Sequence, residues 1–135
     1  MAVLVDTGVL LAALIPRERR HRWARRLLAG ILEGRYGPAY VTDYIVDEAL
    51  SYAASRLGRD AAEKLLSLLV RRRLLHIIPV TIDVFSEAVE VYEAHLPRLS
   101  FTDATTLVVA RSYRIDLIAT LDRELAALHP SITPG

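Results

Sequence analysis

Apolar and polar positions fall along the chain in blocks that define its elements. Residues 2 to 5 form a short apolar run that stops at Asp6-Thr7-Gly8, the pattern of a strand buried on both faces. The apolar run resumes over 7 to 15 and Pro16 closes it, which predicts a short helix. Over 18 to 33, Trp23, Leu27, Leu28 and Ile31 recur at helical spacing, Arg19, Arg22 and Arg26 take another face, and Gly34 is placed to end the helix. "AYVT" at 39 to 42 predicts a second strand. Residues 43 to 57 and 60 to 73 predict helices, the latter opened by Asp60 and Glu63 as a capping-box-like pair. "LLHII" at 74 to 78 predicts a third strand, which Pro79 marks as an edge. Residues 83 to 96 predict a helix with Phe85, Ala88, Val89, Tyr92 and Leu96 inward, and a further helix over 101 to 113 follows Ser100. "IDLIAT" at 115 to 120 predicts a fourth strand, 123 to 128 a short helix, and 131 to 133 a fifth strand.

Strands that alternate with helices predict one α/β domain over residues 1 to 135, with three α/β/α layers around a central parallel sheet of four or five strands. The first strand belongs in the middle, because both of its faces are apolar. Sheets of this kind bind ligands outside the carboxyl ends of their strands, where strand order reverses.

That edge collects carboxylates. Asp6 ends the first strand, Asp122 lies just past the fourth, and Asp103 sits in the first turn of the helix opened by "LSFTDATT". Asp103 precedes Leu107 by four and Ala110 by seven, so it shares their inward face. Each acid alone reads as a helix cap: Asp6 and Asp122 as N-caps, Ser100 and Asp103 as a capping box. Three like charges on one apolar-walled edge are costly unless a cation compensates them, and a hard divalent ion held by carboxylate oxygens is the usual compensation. A fourth acid comes from Asp43, Asp47 or Glu48 in the helix 43 to 57, among which helical periodicity does not choose.

Other features narrow the chemistry. The chain has 135 residues, 53% of them apolar, enough to build a core and too apolar to be disordered. Its longest apolar run, Val9 to Ile15, is too short to span a bilayer, and its start lacks the basic n-region of a signal peptide. No membrane partner is expected. The absence of cysteine excludes disulfides and thiol nucleophiles and fits a cytoplasmic protein. A net charge of +1 supplies no global attraction to nucleic acid. Lys64 is the one lysine among 17 basic residues, and Asn and Gln are absent, a usage that points to a thermophile with a GC-rich genome. Glu87, Glu90 and Glu93 form a solvated face. The histidines at 21, 76, 95 and 129 lack ligand spacing, and neither a G-x-S-x-G nor a P-loop motif occurs.

"LVDTGVLLA", "DEALSYAASRLG", "LSFTDATTLVVA" and "LIATLDREL", in that order, resemble the PIN domain family and within it the VapC-type toxins. The resemblance covers nearly the whole chain and implies a PIN-like fold. It places the family's four acids at Asp6, Glu48, Asp103 and Asp122, thereby choosing Glu48, and sets Thr7 and Thr120 at accompanying hydroxyl positions. Leu125 stands where the family often has an aromatic residue, a departure that concerns packing. The implied activity is hydrolytic endoribonuclease cleavage dependent on Mg2+ or Mn2+, leaving a 5′-phosphate and a 3′-hydroxyl. Asp6 and Asp103 are then the principal metal ligands, Asp122 a holder of coordinated water or a second ion, and Glu48 the group that orients or deprotonates the attacking water. The implied partners are single-stranded or loop RNA, a cognate antitoxin and a second copy of the chain. A PIN nuclease of RNA maturation or decay and a catalytically dead PIN-like binding module are the rival readings. An acidic site needs a basic rim to admit RNA, and "RERRHRWARR" at 17 to 26, with Arg17, Arg19, Arg20, Arg22, Arg25 and Arg26, is either that rim or a solvated helix face.

Overall fold

A computed structural model describes residues 1–135. Strand β1 (Val3–Val5) leads into helix α1 (Thr7–Leu14) and α2 (His21–Leu32), then β2 (Ala39–Thr42). Helix α3 (Asp43–Tyr52) continues into a wider turn at Ala53–Leu57, and α4 (Arg59–Leu66) does the same at Ser67–Arg71, before β3 (His76–Ile78). Helices α5 (Ile82–Ala94) and α6 (Phe101–Ser112) precede β4 (Leu117–Ala119), and α7 (Arg123–Ala126) precedes β5 (Ser131–Ile132).

All pairings are parallel and the order is β3-β2-β1-β4-β5, so β1 is central and β3 an edge, as the apolar pattern and Pro79 predict. Successive side chains of β1 point to opposite faces. Val3 and Val5 join a core with α1, α2, α3 and α4, whereas Leu4 joins Ile118 and residues of α5 and α6. These are the two outer layers of the three-layer α/β/α architecture. The chain runs outward from β1 through β2 to β3, then crosses back to β4, so its direction reverses between β1 and β4. The carboxyl ends of these two strands form the crevice of the switch point.

Three local expectations change. Helix α2 starts at His21 rather than 18, because residues 17 to 20 make turns and three arginines there would crowd the positive end of a helix dipole. Asp60 and Glu63 do not cap α4. Gly58, at φ 99°, is its N-cap without a side-chain bond, and Glu63 pairs with Arg59 at 3.4 Å. On α5 the core-facing residues are Val84 and Ala88, with Tyr92 packed beside them, so the expected stripe holds at Ala88 and Tyr92 and gives way to Val84 at its start. Phe85, Val89 and Leu96 stay substantially exposed, with Phe85 turned sideways onto Phe101 at a ring separation of 5.2 Å. Two apolar stripes lie side by side on this helix, and packing against α6 selects the one with the smaller side chains.

Candidate functional site

The backbone carries Asp6 out of β1 in an extended conformation and straight into α1, of which it is the N-cap. Its Oδ1 accepts from the Thr7 amide at 2.9 Å and its Oδ2 accepts from the Thr120 hydroxyl at 2.7 Å. Thr120, fully buried just past β4, also accepts from the Asp122 amide at 3.0 Å. One hydroxyl thus ties together the two acids that the neighbouring strands deliver. Asp122 is the N-cap of α7, accepting from the amides of Glu124 and Leu125 at 2.8 and 3.2 Å. Asp103 occupies the third position of α6, where the Ser100 hydroxyl accepts from its amide at 3.0 Å and its carboxylate receives a longer 3.4 Å contact from the Ser100 amide.

Capping and convergence are therefore both realised. Asp6, Asp103 and Asp122, with Glu48 from α3, line one cleft of about 520 Å³. The helix acids separate by position. Asp43 accepts from the Tyr44 and Val80 amides and so fastens the start of α3 to the loop after β3. Asp47 accepts from the Ser51 hydroxyl. Glu48 alone of the three reaches the cleft. Tyr52 and Leu121 also line it without having been expected there; for Tyr52, its position one helical turn after Glu48 is the signal. The histidines stay outside: His21, His95 and His129 bond backbone carbonyls, and His76 lies beside Tyr40.

Burial dominates the electrostatics. Asp6 is only 6% exposed, and desolvation raises its pKa to about 6. The Thr120 and Thr7 hydrogen bonds pull it down, and the charges of Glu48 and Asp122 push it up. Asp103 rises to about 7, first through burial, then through the charge of Asp6 and the neighbouring Asp122 carboxylate, with the Ser100 contact opposing. The native state thus holds protons that the unfolded chain, near 3.8, has released. Stability therefore falls as pH rises through the window from about 4 to about 7, where bound protons are lost. In EDTA, the melting temperature is expected to fall across this window, and more steeply than in Asp103→Asn. A profile no steeper in the wild type would show that Asp103 is not coupled to folding.

Thr120→Val removes the hydroxyl while keeping the shape. It leaves a buried Asp6 oxygen unpartnered, so a loss of roughly 1–3 kcal/mol is expected in chemical denaturation, together with a further rise in the Asp6 pKa. No stability change would mean that the threonine does not anchor Asp6.

As the side chains stand, no three His, Cys, Asp or Glu residues are drawn together tightly enough to hold an ion. The side chains of the cleft offer only hard oxygen donors: carboxylates and hydroxyls, among them that of Thr7, which is buried without a hydrogen-bond partner.

A model of the PIN domain matches residues 3–129. The VapC ribonuclease of Archaeoglobus fulgidus is 31% identical over 121 residues, covering 88% of this chain and 76% of that protein. Among solved structures, Mycobacterium tuberculosis VapC20, a sarcin-ricin loop cleaving toxin, aligns over 93% of each chain at 26% identity with a TM-score of 0.80. A toxin-antitoxin complex from Klebsiella pneumoniae aligns over 98% of each chain with a TM-score of 0.69, and at 21% identity it speaks to the fold alone. With the family model spanning almost the whole chain, from β1 to the residue before Pro130, this chain belongs to the PIN domain family, among its VapC-type members.

Proposed function

We propose that the chain is a divalent-metal-dependent endoribonuclease acting as the toxin of a toxin–antitoxin pair. The observation that carries this reading is the meeting of Asp6, Glu48, Asp103 and Asp122 in one cleft at the switch point of the sheet. Similarity to the Archaeoglobus fulgidus VapC ribonuclease supports the activity, and similarity to the Mycobacterium tuberculosis toxin supports the toxin role. Single-stranded or loop RNA is the proposed substrate. A cognate antitoxin and a second copy of the chain are the proposed partners. No helix is long and apolar enough to cross a membrane. A cytoplasmic setting fits the lack of cysteine.

PIN nucleases generally use divalent metals, and the all-oxygen donor set selects Mg2+ or Mn2+ over softer ions. Asp6 and Asp103 would be the principal holders, with Asp122 beside them. Bound there, the ion supplies polarisation of the scissile phosphate and a lowered pKa for water. The chain's own residues do the rest. The caps from Thr7, Thr120 and Ser100 hold like charges in place against their repulsion. Glu48, on the exposed rim, takes the proton of the attacking water onto a carboxylate oxygen. Water adds to phosphorus, the bond to the 3′-oxygen breaks, that oxygen takes a proton from solvent, and a 5′-phosphate and 3′-hydroxyl remain.

The test is incubation of the purified chain with a mixed single-stranded RNA pool. Cleavage is expected with magnesium or manganese and not with EDTA. Cleavage that persists in EDTA, or none with either metal, contradicts the reading.

A further inference from the structure

An acidic cleft repels a polyanion, so a strand held there needs cationic contact nearby. Next to the cleft lies a second cavity of about 580 Å³, and Leu121 lines both. Its charged side chains are Arg19, Arg20, Arg123 and Glu18, and Thr133, Pro134 and Gly135 form another wall. Arg19 and Arg20 come from the turns between α1 and α2, and Arg123 is the first residue of α7, directly after Asp122. The chain's ion pairs use Arg35 and Arg59 and leave Arg19, Arg20 and Arg123 unpaired, with Glu18 also unpaired. Three of the other four arginines of the 17 to 26 run behave differently. Arg22, Arg25 and Arg26 line a shallow groove along α2 that shares no residue with the cleft.

We propose that the Arg19–Arg20–Arg123 cavity is a phosphate-binding subsite that seats the substrate strand beside the phosphodiester being cut. This assignment rests on the nuclease reading. Guanidinium forks suit phosphate oxygens better than point charges do. No aromatic side chain lines the cavity, so bases find no stacking platform and the contact is to backbone, tolerant of sequence. RNA is favoured over an acidic protein segment because Asp122 and Arg123 are consecutive residues, Asp122 lining the cleft and Arg123 the cavity. One strand can therefore engage both.

The experiment is a fluorescence-anisotropy titration of the full chain with a labelled single-stranded RNA oligonucleotide in EDTA, so that nothing is cut, over a series of salt concentrations. The variants are R19Q/R20Q/R123Q, the single change R123Q, and a charge-matched control at R71Q/R72Q/R73Q. Three lost phosphate contacts should reduce the slope of log affinity against log salt by about 2, at ~0.7 per single-strand phosphate. At ~0.1 M salt the triple variant should bind more than about tenfold more weakly. R123Q should lose about a third of that slope change, and the control should lose none. Unchanged melting temperatures confirm that the variants fold, and R123Q carries the test if the triple variant does not. If the wild type binds RNA and both cavity variants bind it equally well, the subsite is wrong while the nuclease reading stands. If the wild type binds no RNA in EDTA, the subsite is wrong, and the cleavage assay with magnesium decides the nuclease reading separately. An oligo-glutamate peptide is the second probe: should it bind the wild type as tightly as RNA and lose as much in the variants, the cavity serves an acidic protein segment and the RNA assignment is overturned.

Discussion

Asp6→Asn is expected to lower RNA cleavage by at least about a hundredfold, the scale on which several kcal/mol of lost charge stabilisation appears in a rate, while the chain stays folded. Asparagine keeps the size of the side chain and is itself a good N-cap, so the bond from the Thr7 amide survives. Its amide nitrogen then takes the place of Oδ2 and donates to the Thr120 hydroxyl oxygen, so that contact survives with its direction reversed. What disappears is the charge of the most buried acid in the cleft. A protein that needs Asp6 only to begin α1 should cut as fast after the change. The comparison is made on the same RNA pool with magnesium, alongside a melting curve of each protein.

Asp103→Asn is expected to separate stability from function in the opposite direction to an ordinary cap mutation. Without metal, Asp103 is pushed up to about 7 by burial and by the charges of Asp6 and Asp122, so above that pH the wild type carries the repulsion in full. Removing the charge should stabilise the apo protein by on the order of 1 kcal/mol at pH 8, a figure discounted because Asp103 is only half-buried. Cleavage should be lost. Asp103→Ala is the sharper companion, since it also removes the side-chain half of the capping box, a change that costs roughly 0.5–2 kcal/mol if capping is all the residue does. Magnesium should raise the melting temperature of the wild type and leave both variants nearly unmoved, because only the intact cleft gains from a bound cation. Equal rises in wild type and variants would sink the metal-site reading.

Much of the fold was legible in local chemistry. An apolar run stopped by Asp-Thr-Gly identified β1 as central, and Pro79 identified β3 as an edge, because a strand covered on both faces has no place for polar residues and a proline cannot donate to a ladder. The inward face of α5 was legible only at Ala88 and Tyr92. Its two apolar stripes are adjacent, and the choice between them depends on the shape of α6, a long-range fact. The start of α2 was missed for a related reason: helical spacing continues back through the arginines, but their charge at the dipole's positive end does not favour it. In the cleft, Asp6 and Asp122 could be placed from strand ends alone. Periodicity could not distinguish Glu48 from Asp43 and Asp47, because what separates them is a tertiary matter: Asp43 bonds an amide 37 residues away, Asp47 bonds Ser51, and Glu48 reaches the cleft. The position of Thr120 between two acids also needed three dimensions, since its partners Asp6 and Asp122 come from different strands.

The proposal that these four carboxylates form a divalent-cation site is tested most directly by a crystal of the chain soaked in manganese and measured near the manganese absorption edge. An anomalous peak is expected in the cleft, between the carboxylates of Asp6 and Asp103 and within coordination distance of both, that is absent from crystals of Asp6→Asn soaked in the same way. A map with no peak in the cleft of the wild type, or with an equal peak in Asp6→Asn, would contradict the proposal.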